Sequence, residues 1–286
     1  MIWRIIFIIV LIVVVWIIIQ KNVSEIYTPE LYSASDKDDI DKSIVSYNIQ
    51  KFPWALKNFR DKEITDLINS HSIVLFQECF NEAYDSLETY FPSYHICRGN
   101  LKGFNPMNSG LVTLSKFPIV GVKFYEYKNS NPFSLDYFSE KGFLVAMIKI
   151  GDREIKIINT HLQSSDFHRY DEYAFSQLEE LLGYLDELRE SGEDYIVGGD
   201  FNIDIEDFNV VMKSREGFDI YREMIKSPKR PTIYINLTTS HTSNRYKEGY
   251  EAFVFDYYIT PLKMSDPVVI SSDYSDHNPV SSCFFL

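Results

Sequence analysis

Apolar positions recur along this chain with three different periods, and each period predicts a different element. Residues 2–19, IWRIIFIIVLIVVVWIII, are apolar except for Arg4. About 18 such residues suffice to cross a bilayer, and Trp3 and Trp16 lie near the ends, where aromatic rings favour the interface. No polar face exists to meet solvent, which argues against a buried core helix. IIIQKNVSEIY offers no small-x-small cleavage site, which argues against a removed signal peptide. Residues 1–20 are therefore expected to form one N-terminal transmembrane signal anchor.

Residues 21–42 are polar and acidic, ending in SASDKDDIDK, and read as a solvated linker. From residue 43 short apolar runs alternate with amphipathic stretches. SIVSYNIQ (43–50) and SIVLFQE (72–78) read as strands around a helix at 61–70. SGLVTLSKFPI (109–119) is a strand ending at a proline. Residues 141–163 hold two apolar runs joined by Gly151-Asp152, a hairpin signal. Phe175, Leu178, Leu181, Leu182, Leu185 and Leu188 share one face of a helix over about 169–190. YIVGGD (195–200), 252–260, 267–270 and 279–286 are further strands, and 215–250 reads as long loops. Nothing breaks 43–286 into two units. Hairpins mixed with helices imply an α+β or layered sandwich rather than a purely parallel sheet.

Charge and cysteine usage narrow the function classes. The 286 residues carry a formal charge of −13, which argues against a broad nucleic-acid surface, since phosphates require Lys and Arg. A nuclease is not thereby excluded, because bound divalent cations offset local negative charge. Cys79, Cys97 and Cys283 show no zinc spacing and read as small buried hydrophobes. Arg4 and the amino terminus precede the apolar run, which places the N-terminus in the cytosol and the domain outside it. Sequons at Asn22 and Asn236 are compatible with that topology.

Polar residues gather where the strands end. Asn48 lies in SYNIQ, Gln77-Glu78 in VLFQE, His161 in NTHLQ, Asp200 and Asn202 in VGGDFN, Asp256 in VFDYYIT, and Asp276-His277 in SDHNPV. One such residue is usually a cap or turn former. Six in one chain are hard to explain so, provided the strands share a sheet edge. The set suits phosphodiester hydrolysis. A hard cation such as Mg²⁺, with Mn²⁺ as an alternative, takes oxygen ligands. Glu78 supplies a carboxylate and Asn48 an amide oxygen beside it. His277 with Asp256 or Asp276 provides an oriented base, and Asn202 and His161 can donate to phosphoryl oxygens. The two glycines before Asp200 are expected to turn the backbone tightly after a buried strand.

NIQ, QE, THLQ, GDFN, DYYIT and SDHNPV, in this order, resemble the endonuclease/exonuclease/phosphatase superfamily over roughly residues 43–286. The resemblance implies an α/β (α+β) four-layer sandwich of two packed mixed sheets flanked by helices. It also implies Glu78 as the main metal ligand with Asn48 as its neighbour. Asp200 and Asn202 would position the nucleophile and phosphate, His161 would contact the phosphate, and Asp256 would partner His277. Asp276 would be a further metal- or water-positioning carboxylate.

Within that superfamily FQECF, SGLVTLSKFPI and DYFSEKGFLVAMIKI leading into NTHLQSSD look most like neutral sphingomyelinases. Asp136 and Lys141 keep a spacing that in that group helps organise the site, and are taken as substrate-binding. The expected substrate is a membrane phospholipid such as sphingomyelin, reached by an anchored enzyme. Phe124, Tyr125, Tyr127, Phe133, Tyr137 and Phe138 are candidates to dip into lipid. A membrane-tethered nuclease, with nucleic acid as substrate, and a phosphoinositide phosphatase are the alternatives. No feature calls for a protein partner.

Overall fold

The computed structural model describes residues 26–27, 41–51, 62–80, 87–99, 108–164, 171–211, 213, 215, 217–239 and 241–286. The expected anchor at 1–20 and nearly all of the linker at 21–42 lie outside these residues. Among the described residues no helix is long and apolar enough to cross a membrane.

Two mixed sheets form the centre. The larger runs in the order Ile26–Tyr27, His95–Arg98, Val112–Ser115, Ile73–Cys79, Ser43–Lys51, Val280–Phe285 and Lys263–Met264, with Val268–Val269 also pairing the C-terminal strand. The six-stranded sheet runs Ile225–Lys226, Asp256–Ile259, Tyr195–Asp200, Arg153–His161, Gly142–Ile150 and Ile119–Glu126. Ser43–Lys51 pairs parallel with Ile73–Cys79, and Arg153–His161 parallel with Tyr195–Asp200. In the first case the intervening chain contributes the helix Lys62–Asn69, and in the second Glu172–Glu190, as parallel pairing requires a crossover.

Burial explains the four layers. Ile44, Ile73 and Leu75 from one sheet meet Leu144, Ile157, Ile196 and Tyr258 from the other in a shared core. The outer face of the six-stranded sheet packs Val145, Ile158 and Val197 against Leu178, Leu181, Leu182 and Leu185 of the long helix. That helix starts at Asp171, whose side chain accepts from Tyr173 N and Ala174 N and satisfies two otherwise orphan donors. The outer face of the larger sheet packs Val45, Val74 and Phe76 against Ile64, Ile68 and Tyr94.

Residues 215–250 are not a run of long loops. They contain the helix Phe218–Met224 and the strands Ile233–Asn236 and His241–Ser243, which with Glu251–Phe253 make a three-stranded sheet. The small core of that sheet is Ile233, Phe253 and Phe255, too few apolar residues to announce a period. The expected strand 252–260 is split between two sheets at Val254-Phe255. His95–Arg98 and Ile119–Glu126 are strands that the apolar pattern did not single out; the second is an edge strand with an irregular burial pattern.

The glycines of VGGD do not make a turn. Both lie within Tyr195–Asp200, where neighbours leave no room for a side chain. A Cβ on Gly198 would sit 2.7 Å from the Tyr258 ring and 2.8 Å from Leu75 of the opposite sheet. Gly199 has φ 156°, and its Cβ would lie 2.0 Å from the Thr160 carbonyl oxygen. The turn comes at Asn202, with φ 49°.

Candidate active site

The polar strand ends meet, though on two sheets rather than one. On the six-stranded sheet His161 pairs directly with Asp200, and Asp200 directly with Asp256. On the larger sheet Asn48 pairs with Gln77, and the register then slips between Asn48 and Lys51. In this bulge Gln50 and Glu78 adopt φ values of 47° and 53°. Such a conformation costs a bulky residue roughly 1–3 kcal/mol and is held by its surroundings, commonly where a side chain must be re-aimed.

One amide joins the two sheets. Asn48 Nδ2 donates to Glu78 Oε1 at 2.8 Å and to Asp200 Oδ2 at 2.9 Å. Asp200 Oδ1 accepts from Asn202 N at 2.9 Å, and Asn202 Nδ2 donates to the Leu162 carbonyl. His277 Nδ1 lies 2.8 Å from Asp256 Oδ2, and its Nε2 is 3.5 Å from Asp200 Oδ2. His161 Nε2 is 3.7 Å from the same Asp200 oxygen and 4.0 Å from Glu78 Oε1. Every one of these side chains except those of Glu78 and Asn202 belongs to a fully buried residue.

Lys141 stands behind His161. Its Nζ lies 3.0 Å from Asp136 Oδ2, 3.1 Å from His161 Nε2 and 3.1 Å from the Leu162 carbonyl oxygen. An ammonium has three protons, so all are committed. Its bond to Nε2 makes that nitrogen the acceptor and leaves the His161 proton on Nδ1. Asp136 also accepts from Ser164 N, Ser164 Oγ and Gln163 Nε2. The pair therefore braces the histidine and the end of its strand. Asp276 accepts from Thr242 Oγ1 and Ser275 Oγ, and its charge acts on Glu78 and His277.

Burial and crowding set the charges. Burial, then the Asp276 carboxylate, pushes the Glu78 carboxyl up to about 7 against the bond from Asn48. Burial likewise raises Asp200 to about 6, with Asp256 adding to it and His277 opposing. For His277, burial works against charge, but Asp256 and Asp200 overcome it and hold the imidazole well above its ordinary value. His161 goes the other way: burial and then Lys141 hold it well below. Two neighbouring imidazoles are thus driven to opposite protonation states, an arrangement typical of acid–base sites.

The donor set fits a hard divalent cation. Ligand atoms of Asp200, Asp256 and His277 all lie within 4.8 Å of one another. Among the described residues, Glu78 Oε2 and Asp256 Oδ1 are buried with no hydrogen-bond partner. A buried orphan carboxylate oxygen is costly unless a cation takes it up. Of the expected ligands, neither Glu78 nor Asp276 is in that group of three, and both lie within electrostatic reach of one another.

Several supporting residues escaped the sequence reading. Asn159 Nδ2 donates across the sheets to the Phe76 and Val112 carbonyls, while its oxygen accepts from Gln77 Nε2. A polar residue inside the apolar run EIKIINT is the signal that could have shown it. Asn244 donates to the Ser272 and Ser275 carbonyls, and its own carbonyl accepts from Asn278. It lies in a polar stretch with no distinguishing pattern.

A family model described as the Endonuclease/Exonuclease/phosphatase family matches residues 45–248. Sphingomyelinase C 2 of Leptospira interrogans is 22% identical over 85% of this chain, which spans 46% of that protein. The crystal structure of a mutant beta toxin from Staphylococcus aureus with bound magnesium ions superposes with a TM-score of 0.61 at 18% identity, covering 85% of this chain and 99% of that one. D. rerio TDP2 complexed with single strand DNA product gives a TM-score of 0.65 at 16% identity, covering 87% and 100%. These two likenesses establish the fold alone.

Proposed function

The chain belongs to the Endonuclease/Exonuclease/phosphatase family, and on that premise we propose that it is a Mg²⁺-dependent phosphodiesterase acting on a membrane phospholipid such as sphingomyelin. The observation that carries the chemistry is the meeting of Asn48, His161 and His277 around Asp200 Oδ2, with Glu78 on the same Asn48 amide, Asp256 on His277, and two buried carboxylate oxygens left for a cation.

Glu78, with Asp200 and Asp256 nearby, would hold the ion, and Mn²⁺ would serve in its place. The bound cation would polarise the phosphoryl group and steady the leaving oxygen. Water attacks phosphorus as the bond to the leaving oxygen breaks. The water proton passes to the Asp200 carboxylate, beside the protonated His277 imidazole that Asp256 orients through Nδ1. Asn202 flanks the position where charge builds on the phosphoryl oxygens, and Lys141, bonded to His161 Nε2, brings positive charge towards it. The leaving oxygen takes up a proton from the surrounding water, so the products are a phosphomonoester and an alcohol; from sphingomyelin these are phosphocholine and ceramide.

The Leptospira relative's name and the magnesium in the staphylococcal structure support the lipid and the metal. The apolar run at 2–19 supports a single-pass membrane protein with its domain outside the cytosol. The test compares hydrolysis of sphingomyelin vesicles with nicking of supercoiled DNA, both with Mg²⁺, using Glu78→Ala as the blank. Phosphocholine release that the variant lacks is the expected result. DNA nicking without lipid turnover would replace the lipid reading with the nuclease one.

A further inference from the structure

We infer that the catalytic end of the domain lies against a bilayer of zwitterionic lipid, with Phe133, Tyr137 and Phe138 immersed in its interface. This rests on the proposed anchor at residues 1–20 and gives that anchor an orientation.

The six aromatics of residues 124–138 do not behave alike. Tyr125 stacks on Phe143 at 4.8 Å, Tyr127 is buried with its hydroxyl 2.7 Å from Thr160, and Phe124 packs on the inter-sheet core. Phe133 is 94% exposed, Tyr137 51% and Phe138 50%. These three sit on the segment that joins Glu126 to Gly142, and Gly142 pairs with His161. The rings therefore project from the catalytic end of the six-stranded sheet.

Their exposure is built in. Ser134 caps the short 3-10 turn Leu135–Phe138, Ser139 Oγ donates to the Asp136 carbonyl, and the Asp136 carboxylate is tied to Lys141, Gln163 and Ser164. The turn's polar side is thus held inward, and its rings lie exposed on the other side. Residues 129–139 carry a single charge, Asp136, which is the one turned inward. A rigid, uncharged aromatic tip suits the headgroup boundary, where Tyr and Phe partition without electrostatic help. A chain of net charge −13 is repelled by anionic lipid, which leaves a zwitterionic surface.

The path of the chain agrees. Ile26 pairs with Cys97 and Tyr27 with Ile96, while Arg98 pairs with Val112 and Val112 with Phe76, next to Gln77-Glu78. Passing from Tyr27 back to Ile26 is therefore movement towards the catalytic end. Only residues 20–25 separate Ile26 from the apolar run, and six residues reach about 20 Å at most. An anchor so tethered holds this end, not the opposite one, near its bilayer.

The test uses the full chain reconstituted in phosphatidylcholine vesicles containing brominated lipid. Phe133→Trp is compared with Asp152→Trp at the Gly151-Asp152 turn, which closes the other end of the Gly142–Ile150 and Arg153–His161 hairpin; the parent supplies the background from Trp3, Trp16 and Trp54. Bromine should remove more than about half of the emission at 133 and leave that at 152 nearly unchanged. Equal quenching at both positions, or none at 133 in a chain that floats with the vesicles, overturns the orientation while leaving the anchor standing. A chain that does not float removes the anchor and the orientation with it. Independently, Phe133→Ser with Tyr137→Ser should slow hydrolysis of vesicle sphingomyelin about tenfold and leave bis(p-nitrophenyl) phosphate turnover at the parent rate. Unchanged vesicle hydrolysis counts against the proposal. A parent that cleaves neither substrate defeats the phosphodiesterase reading, and the quenching still judges the surface.

Discussion

Asn48 on one sheet donates a 2.9 Å hydrogen bond to Asp200 on the other, from the same nitrogen that donates to Glu78. Two carboxyl groups raised by burial are thereby held side by side on a neutral amide. Replacing Asn48 with Ala removes the donor from both at once. A lost bond to a buried charged group costs about 1–3 kcal/mol, so the denaturation midpoint should fall measurably. Turnover of the proposed substrate should drop roughly 10²-fold, because misplacement of reacting groups is costly. A variant with parental turnover would show that the seam is structural only.

Glu78 carries a pH dependence of defined sign. Its carboxyl is held near 7 by burial and then by Asp276. In the metal-free protein the group therefore favours the folded state below its unfolded value of 4.5, and this contribution is lost as pH rises through about 7. A cation must displace that proton, so apparent Mg²⁺ affinity should fall about tenfold per pH unit below 7 and level off above it. Calorimetric titrations at pH 6 and pH 8 with the parent and Glu78→Gln measure this directly. Equal affinity at the two pH values would remove Glu78 from the metal site.

Asp136 behaves oppositely. Burial opposes its charge, but Lys141, His161 and Ser164 overcome it and bring the carboxyl down to about 2 from 3.8. Its contribution is present above the unfolded value and lost as pH falls through about 2. Asp136→Asn should therefore cost on the order of 2 kcal/mol at pH 7 and roughly half of that at pH 3. Urea unfolding at both pH values gives the comparison. A difference that does not shrink towards low pH would assign the loss to packing instead of the ion pair.

Asn244 acts on His277 only through the loop between them. Its amide holds the Ser272 and Ser275 carbonyls, and its carbonyl takes a bond from Asn278. Asn244→Ala should lower kcat about tenfold with KM little changed, since the loop places the imidazole without touching substrate. The pH–rate profile should also shift as the hold of Asp256 on His277 loosens. A pure change in thermal stability, with kcat and its pH profile intact, would make the contact architectural.

The strands that bear Asn48, Glu78, His161 and Asp200 were legible because each is a buried apolar run broken by a polar residue at its end. The hairpin about Gly151-Asp152 and the helix Glu172–Glu190 were legible for the same reason, a strong local period. The sheet Ile233–Asn236, His241–Ser243 and Glu251–Phe253 was not, because three short exposed strands bury almost nothing. The reason for Gly198 and Gly199 was also hidden. Their lack of a side chain answers to Tyr258, Leu75 and Thr160, none of which is near in sequence.

By itself, the order of polar strand ends determined the family and the chemical types available to the site. It also set which apolar faces had to be covered, since burial depends on local pattern. Only the tertiary structure decided that the ends belong to two sheets, that Asn48 bridges them, and that Asp200, Asp256 and His277 come together. It also separated three exposed rings from three packed ones. Those outcomes turn on distances between residues far apart in the chain, where register, close packing and the cost of burying charge act together.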